Sequence, residues 1–304
     1  MKKKRVWGLV GPTASGKTAV SLALAEQLKG EILCMDSMQI YKGMDIGTAK
    51  PTKEEQARVP HHLLDLVEPT KSFSVTEYAA LARPLIEKID TPILVGGTGF
   101  YLSALSLPLD FGFVRGDNAI REKYQAICDA EGAEALHALL EKVDKASAAR
   151  LHPNDTRRVI RALEVYDLTG VPFSEQVMPT EADAPYDFSL FALDMDRQRL
   201  YERIEKRVDN MMQDGLLDEV ETLIKSGVPE QAQAMQGLGY KELLPVLHGT
   251  ETLANATALI KQKTRNYAKR QLTWFRRDKR IHWLHVDEHT TLTDLLEQIS
   301  VISE

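Results

Sequence analysis

The sequence predicts an α/β protein: a parallel sheet flanked by helices, with a small all-helical insertion. Three observations carry this. The segment Gly11-Pro12-Thr13-Ala14-Ser15-Gly16-Lys17-Thr18 stands between a short apolar run and a helical pattern. Two further short apolar runs, residues 32–35 and 92–95, end in Asp36 and in Gly96-Gly97, with helix-like sequence between them. From about residue 110 to 189 the texture is helical throughout. Short apolar strands separated by helical crossovers build parallel sheets, because parallel neighbours cannot be joined by a tight turn.

Taken in order, residues 6–10 read as the first strand, and the glycine-containing segment that follows has the G-x-x-x-x-G-K-[ST] spacing of a phosphate-binding loop. Glycines let the backbone curl so that several N–H groups face an anion. Lys17 reaches terminal phosphate oxygens, and the Thr18 hydroxyl can hold Mg²⁺. Residues 18–28 predict a helix with Val20, Leu24 and Leu28 spaced by four. Strand, loop and helix in this order aim a helix N-terminus at the anion, the arrangement of a P-loop NTPase-like sheet. Asp36 ends the second strand, 31–35. Ligands of open α/β sheets bind beyond the carboxyl ends of strands. Asp36 therefore stands beside the loop if the two strands are neighbours, as a helix N-cap, a magnesium ligand or a carboxylate that accepts a proton.

Residues 38–51 carry no clear period and predict a long loop. Residues 74–89 predict a helix with Tyr78, Leu81, Leu85 and Ile89 on one face. After the strand 92–95, Gly96-Gly97-Thr98-Gly99 would let backbone approach a ligand. Neither Leu94-Val95-Gly96 nor a nearby strand gives cleanly the apolar run ending in Asp of a generic P-loop NTPase, which leans against an ATPase motor or a GTPase. In the helical segment, Asn154 or Asp155 is the expected cap of a helix with Val159, Ala162, Leu163 and Tyr166 as its apolar stripe. Arg157 and Arg161 lie opposite, one turn apart, either solvated or gripping RNA phosphates. Residues 178–185 read as a linker.

The chain returns to the sheet at strand 188–193. The next helix buries Leu200, Ile204, Val208 and Met211, with Arg203 and Arg207 at the border of that stripe, where guanidinium groups either snorkel or bind diphosphate. Gln236-Gly237-Leu238-Gly239-Tyr240-Lys241 is a glycine turn. Residues 261–280 then hold nine Lys or Arg and one acid, Asp278. Lys261, Arg265, Lys269 and Arg276 fall within roughly 80° of helix arc, while Ile260, Tyr267 and Trp274 share another face at seven-residue spacing. In a chain of net charge −6, such a cluster points to an anionic partner. The expected organisation is a phosphate-loop core in two parts, 1–113 and 188–304, with the helical insertion at 114–187 between them.

Composition narrows the class. The 304 residues are 43% hydrophobic and 27% charged, which is ordinary for a soluble chain with a large core. Cys34 and Cys128 form no C-x-x-C, so no zinc site and a reducing compartment are expected. The basic residues 2–5 precede only five residues before Gly11-Pro12, too few for an export signal. No run of eighteen apolar residues exists, so no membrane span is expected. The expected setting is cytoplasmic.

These residues together resemble the bacterial tRNA dimethylallyltransferase (MiaA-type isopentenyltransferase) family over essentially the whole chain. The most specific segments are 11–18, 36–51 and Gly96-Gly97-Thr98-Gly99. His152-Pro153-Asn154-Asp155 with 157–161, Gly239-Tyr240-Lys241 and 264–274 add to them. The resemblance implies transfer of a dimethylallyl group from dimethylallyl diphosphate, the co-substrate, to N6 of the adenine 3′ to the anticodon of tRNA; Mg²⁺ on Thr18 as cofactor and a monomer are expected beside it. It implies that Asp36 accepts the proton and that Thr98 belongs to the catalytic set. The diphosphate falls on Gly11, Pro12, Thr13, Ala14, Ser15, Gly16, Lys17 and Thr18, joined by Arg203 and Arg207. The tRNA falls on Asp36, Ser37, Met38, Gln39, Thr98 and Arg121, on Arg157, Arg158, Val159, Ile160 and Arg161, and on Gln236, Gly237, Leu238, Gly239, Tyr240 and Lys241. Arg265 and Lys269 join these as phosphate contacts from the basic helix. Three other readings stand beside it: an adenylate isopentenyltransferase acting on free AMP, an ATP-dependent small-molecule kinase, and an RNA-binding scaffold with a relic loop. A free nucleotide needs neither the helical insertion nor the basic cluster.

Overall fold

The computed structural model describes residues 3–108, 116–176 and 184–303. Part of the expected linker, 178–183, lies outside them, as do residues 109–115. The chain divides into two compact units, Met1–Ser106 with Pro185–Glu304, and Leu107–Ala184.

The first unit is built on β1 (Arg5–Val10), whose side chains from Val6 onward are all buried. A strand apolar on both faces belongs at the centre of a sheet covered on both sides. It pairs in parallel with β4 (Pro92–Gly96) and with β5 (Asp187–Met195). The six strands run in the order β3-β2-β4-β1-β5-β6, with β2 at Glu31–Cys34, β3 at His61–His62 and β6 at Ile281–Val286. Every pairing is parallel. The condition on which Asp36 would stand beside the loop is not met, because β4 lies between β1 and β2.

Helices cover the sheet. On one side α1 (Lys17–Leu28) and α13 (Leu292–Ser303) bury Val20, Leu22, Leu24, Leu295 and Ile299 against Trp7, Leu9, Ile93 and Phe191. The four-residue spacing in α1 holds, and Leu22 and Ala25 are buried too, because α13 packs on a second side of the helix. Beyond the carboxyl end of β1, α9 (Arg197–Gln213) and α12 (Leu253–Phe275) pack Leu200, Ile204 and Ala268 on Ala14. α3 (Val75–Lys88) starts at a Ser74/Glu77 capping box. Its buried face is Tyr78, Ala79, Ala82 and Ile86, and Leu81 stays exposed. The expected stripe through Leu81 and Leu85 was set by the larger side chains, whereas small alanines let α3 approach α4 (Gly99–Ser106), with Tyr78 stacked on Tyr101 at 3.8 Å. The smaller α2 (Lys53–Arg58), α10 (Leu216–Lys225) and α11 (Tyr240–Leu247) complete this unit. No helix among the described residues is long and apolar enough to cross a membrane.

The second unit contains α5 (Asn118–Glu131), α6 (Ala133–Val143), α7 (Lys145–Arg150) and α8 (Thr156–Thr169) around Tyr124, Leu136, Leu140, Val159 and Leu163. Asp155 holds the N-cap position of α8, but its carboxylate pairs with Arg158 at 3.2 Å instead of capping a backbone N–H. Glu164 is fully buried. It accepts from the Asp117 N–H at 2.7 Å and pairs with Arg121, at 2.7 Å, and with Arg161. Burial alone would push this carboxyl up, but Arg161, the Asp117 amide and Arg121 outweigh it, and the net shift is downward. Two of the arginines expected on RNA thus neutralise a buried charge. Val159 and Ile160 face the core. Arg157 and Arg158 remain exposed on this helix.

Candidate active site

The β1–α1 connection is built by backbone geometry. Gly11, Ala14 and Gly16 have φ of 123°, 63° and 103°, so the loop turns three times through the left-handed region before α1 begins. Arg203 of α9 locks it: its Nε donates to the Ala14 carbonyl at 2.8 Å, and its guanidinium fills the space above Gly16. Lys17 Nζ donates back to the carbonyls of Gly11 (3.0 Å) and Pro12 (2.6 Å). The Thr13 N–H is not free for an anion, because it donates to Gln271 Oε1 at 2.9 Å. Ser15 Oγ is buried without a hydrogen-bond partner among the described residues.

Asp36 reaches the loop by a different route from strand adjacency. Beyond Cys34 the chain leans over the end of β4, where a Cβ on Gly96 would stand 2.0 Å from the Met35 carbonyl oxygen. The close approach is fixed by Met35 N–H to the Val95 carbonyl (2.7 Å) and Thr98 N–H to the Met35 carbonyl (3.2 Å). Thr98 Oγ1 accepts from the Ser37 N–H at 3.1 Å. Asp36 Oδ1 accepts from the Met38 N–H at 2.8 Å and the Gln39 N–H at 3.4 Å, closing an Asx-type turn. The glycines of Gly96-Gly97-Thr98-Gly99 therefore make room for protein rather than for a ligand. At Gly97 the neighbour is Gln271 Nε2, at 2.1 Å from a built Cβ, and at Gly99 it is the Trp274 indole.

These pieces surround one cavity of about 980 Å³ at the carboxyl ends of the strands. Thr13, Ala14, Gly16, Lys17 and Thr18 form its floor, with Asp36, Ser37, Met38 and Gln39 to one side. Arg203 and Arg207 come from α9, and Gln236, Gly237, Leu238, Gly239 and Lys241 from the turn before and into α11. Seven Lys or Arg side chains line the cavity against two carboxylates, Asp36 and Glu242. Such a surplus favours an anionic ligand. Lys17 is pulled down to about 7 by burial and by Arg207, with Asp36 opposing. Arg207 is also lowered by burial, with Asp36 again raising it. The Asp36 carboxylate thus acts on both cations across the cavity. Tyr240 stands behind the wall rather than on it.

Several residues of the site carry no sequence signal of their own. Gln271 bridges the phosphate loop to the Gly97 carbonyl (2.9 Å) and is buried in the stripe Ile260, Thr264, Ala268, Gln271, Phe275. A glutamine inside an apolar stripe is the one hint. Glu219 of α10 accepts from the N–H groups of Asp45, Ile46 and Gly47 (2.9, 2.8 and 3.1 Å) and from the Tyr240 hydroxyl (2.6 Å). The long 38–51 loop is thereby tied to the 236–241 turn. Glu219→Gln keeps one acceptor and loses the charge, which costs about 2 kcal/mol of local stability. Hydrogen exchange at Ile46 and Gly47 is expected to quicken by roughly 30-fold; unchanged exchange would show that the loop does not depend on this carboxylate.

The basic helix is sorted by its neighbours. Lys261 pairs with Asp209 at 2.6 Å and Arg265 with Glu205, both on α9. Arg265, expected on RNA, is spent on this helix–helix contact, because the arc it shares with Lys261 faces α9. Lys269 remains exposed.

Similarity to known proteins agrees with this geometry. Residues 39–278 match the family described as IPP transferase, and residues 4–66 the one described as isopentenyl transferase. A tRNA dimethylallyltransferase of Pelotomaculum thermopropionicum is 45% identical over 307 aligned positions, covering 100% of this chain and 98% of that protein. The crystal structure of the tRNA isopentenylpyrophosphate transferase of Bacillus halodurans superposes with a TM-score of 0.71 at 42% identity, over 99% of both chains. A eukaryotic dimethylallyltransferase, captured in crystallographic snapshots acting on tRNA, gives 0.83 at 28% identity over 98% of this chain and 78% of that one. A phosphate loop facing an aspartate across a cationic cavity, in a chain matched from end to end, leaves one assignment: the chain belongs to the IPP transferase family.

Proposed function

We propose that this chain transfers the dimethylallyl group from dimethylallyl diphosphate to N6 of the adenine 3′ to the anticodon of tRNA, releasing diphosphate. The observation that carries the reading is that Lys17, Arg207 and Asp36 line one cavity, in a chain whose full-length relatives bear that activity's name. The exocyclic amine forms a bond to the allylic carbon while the carbon–oxygen bond to diphosphate breaks, and the amine's proton passes to the Asp36 carboxylate. Lys17, Arg203 and Arg207 meet the negative charge that grows on the leaving group. Thr98 holds the Ser37 amide and so orients the turn that presents Asp36.

Mg²⁺ suits the donor set. It prefers few protein oxygens beside those of a phosphate ligand, and the Thr18 hydroxyl lines the cavity floor. When bound it would offset charge on the diphosphate. On the RNA side the reading gives contacts to Ser37, Met38, Gln39 and the 236–241 turn, and to Arg157 and Arg158 on α8. The target base must leave its stack to enter a cavity of this kind. The same reading has a monomer at work in the cytoplasm.

Incubation with dimethylallyl diphosphate, Mg²⁺ and either bulk tRNA or AMP tests it. Prenyl transfer to tRNA with release of diphosphate, and none to AMP, is the expected result. Transfer to AMP alone, or phosphoryl transfer from ATP, would replace the reading with one of its rivals.

A further inference from the structure

We propose that the exposed ring pair Phe100–Trp274, with Arg270 one helical turn before Trp274 and Arg277 three residues after it, is a stacking platform for an unpaired nucleobase of the RNA next to the one that enters the cavity. The inference rests on the RNA substrate of the preceding section.

Phe100 is 61% and Trp274 36% exposed, with ring centroids 4.7 Å apart. Exposed aromatics of this size are usually loose, but this pair is held. A Cβ at Gly99 would stand 2.2 Å from Trp274 Cδ1 and Nε1, so the start of α4 and the end of α12 meet without spare room. One turn earlier, Gln271 hydrogen-bonds the Gly97 carbonyl and ties the same two segments. A ring pair fixed in place and open to solvent has little order left to gain, so stacking on it costs little entropy.

Position and charge choose the occupant. Gly97, Arg270 and Gln271 line the cavity, and Trp274 follows Arg270 by four residues on the same helix face, so the platform begins where the cavity wall ends. Lys261, Arg265, Arg276 and Arg280 are all ion-paired. Arg270 and Arg277 make no ion pair among the described residues. Arg270 lies over the Tyr267 ring at 5.7 Å. Aromatic faces alternating with uncompensated guanidinium groups fit a single-stranded polyanion: each base offers a π-face and each linkage a charge. A paired helix keeps its base faces covered, so the rings would read only a loop.

The test compares two RNAs of equal length, an anticodon stem-loop and the same stem as a blunt duplex, with Phe100→Ala, Phe100→Trp and Trp274→Leu. Affinity for the stem-loop is expected to fall by about 5- to 100-fold for the Ala and Leu variants. Phe100→Trp should retain it, and duplex and diphosphate binding should stay within twofold. Because Phe100 is mostly solvent-facing, its variants report even if Trp274→Leu folds poorly. Unchanged stem-loop affinity, or equal loss on both RNAs, overturns the platform. A wild-type protein that neither binds nor prenylates the stem-loop overturns the functional reading itself.

Discussion

Replacing Asp36 with alanine is expected to slow single-turnover prenyl transfer by about 100-fold or more, the scale of a positioned general base, while RNA still binds. Alanine alone is not decisive, because Asp36 does two things. Its Oδ1 also accepts from the Met38 and Gln39 amides and holds the turn that forms one cavity wall. Asparagine separates the roles: its carbonyl oxygen can still accept from those amides, but it cannot take a proton from the incoming amine. Asp36→Asn should therefore restore turn stability, bind RNA as Asp36→Ala does, and leave the rate as low as in Asp36→Ala. If Asp36→Asn turned over at the wild-type rate, the base would have to be sought elsewhere.

Lys17→Met should weaken diphosphate binding by about 100-fold, the loss of one or two charge-assisted hydrogen bonds in a buried setting. It should also remove a proton from the binding equilibrium. In the free protein Lys17 sits at about 7, chiefly through burial. A bound diphosphate supplies the missing counter-charge and raises it. At pH 6 the side chain is charged before and after binding, so it takes up nothing. At pH 8 most free protein carries a neutral lysine, and binding draws in close to one proton. The Lys17 contribution to affinity is thus flat below pH 7 and falls as pH rises above it. Calorimetry at pH 8 in two buffers of different ionisation enthalpy measures the uptake, and subtracting the Lys17→Met value removes the ligand's own titration. An equal uptake in both proteins would refute the assignment. For the ligand-free protein the unfolded chain binds the extra proton between pH 7 and the unperturbed 10.5. The Lys17 contribution to stability therefore rises with pH across that window.

The turn between β1 and α1 was legible because its geometry is local: eight consecutive residues set the backbone, the lysine and the hydroxyl. The Arg203 and Arg207 pair was legible too, as cations at the border of an apolar stripe rather than opposite it. α3 was placed correctly along the chain but rotated, since large side chains were taken for the buried face and two alanines fill it. The basic helix was misread in a more instructive way. A helix wheel tells which residues share a face, and Lys261, Arg265 and Lys269 do. It cannot tell that α9 brings Asp209 and Glu205 to that face. Nor could spacing show that Arg121 and Arg161 serve a carboxylate buried between their helices.

The sequence by itself determined β1, β2, β4 and β5, helices such as α1, α3, α8 and α9, the glycine-turned loop between β1 and α1, and the set of chemical groups available, because propensity, capping and periodicity act within a few residues. Tertiary structure alone decided which groups meet. β4 was inserted between β1 and β2, and a glycine at its end let the chain after β2 lean across and bring Asp36 to the cavity. A buried glutamine joined the loop to that same edge. Such contacts join residues tens to hundreds of positions apart, and no local pattern encodes a neighbour that the folded sheet supplies.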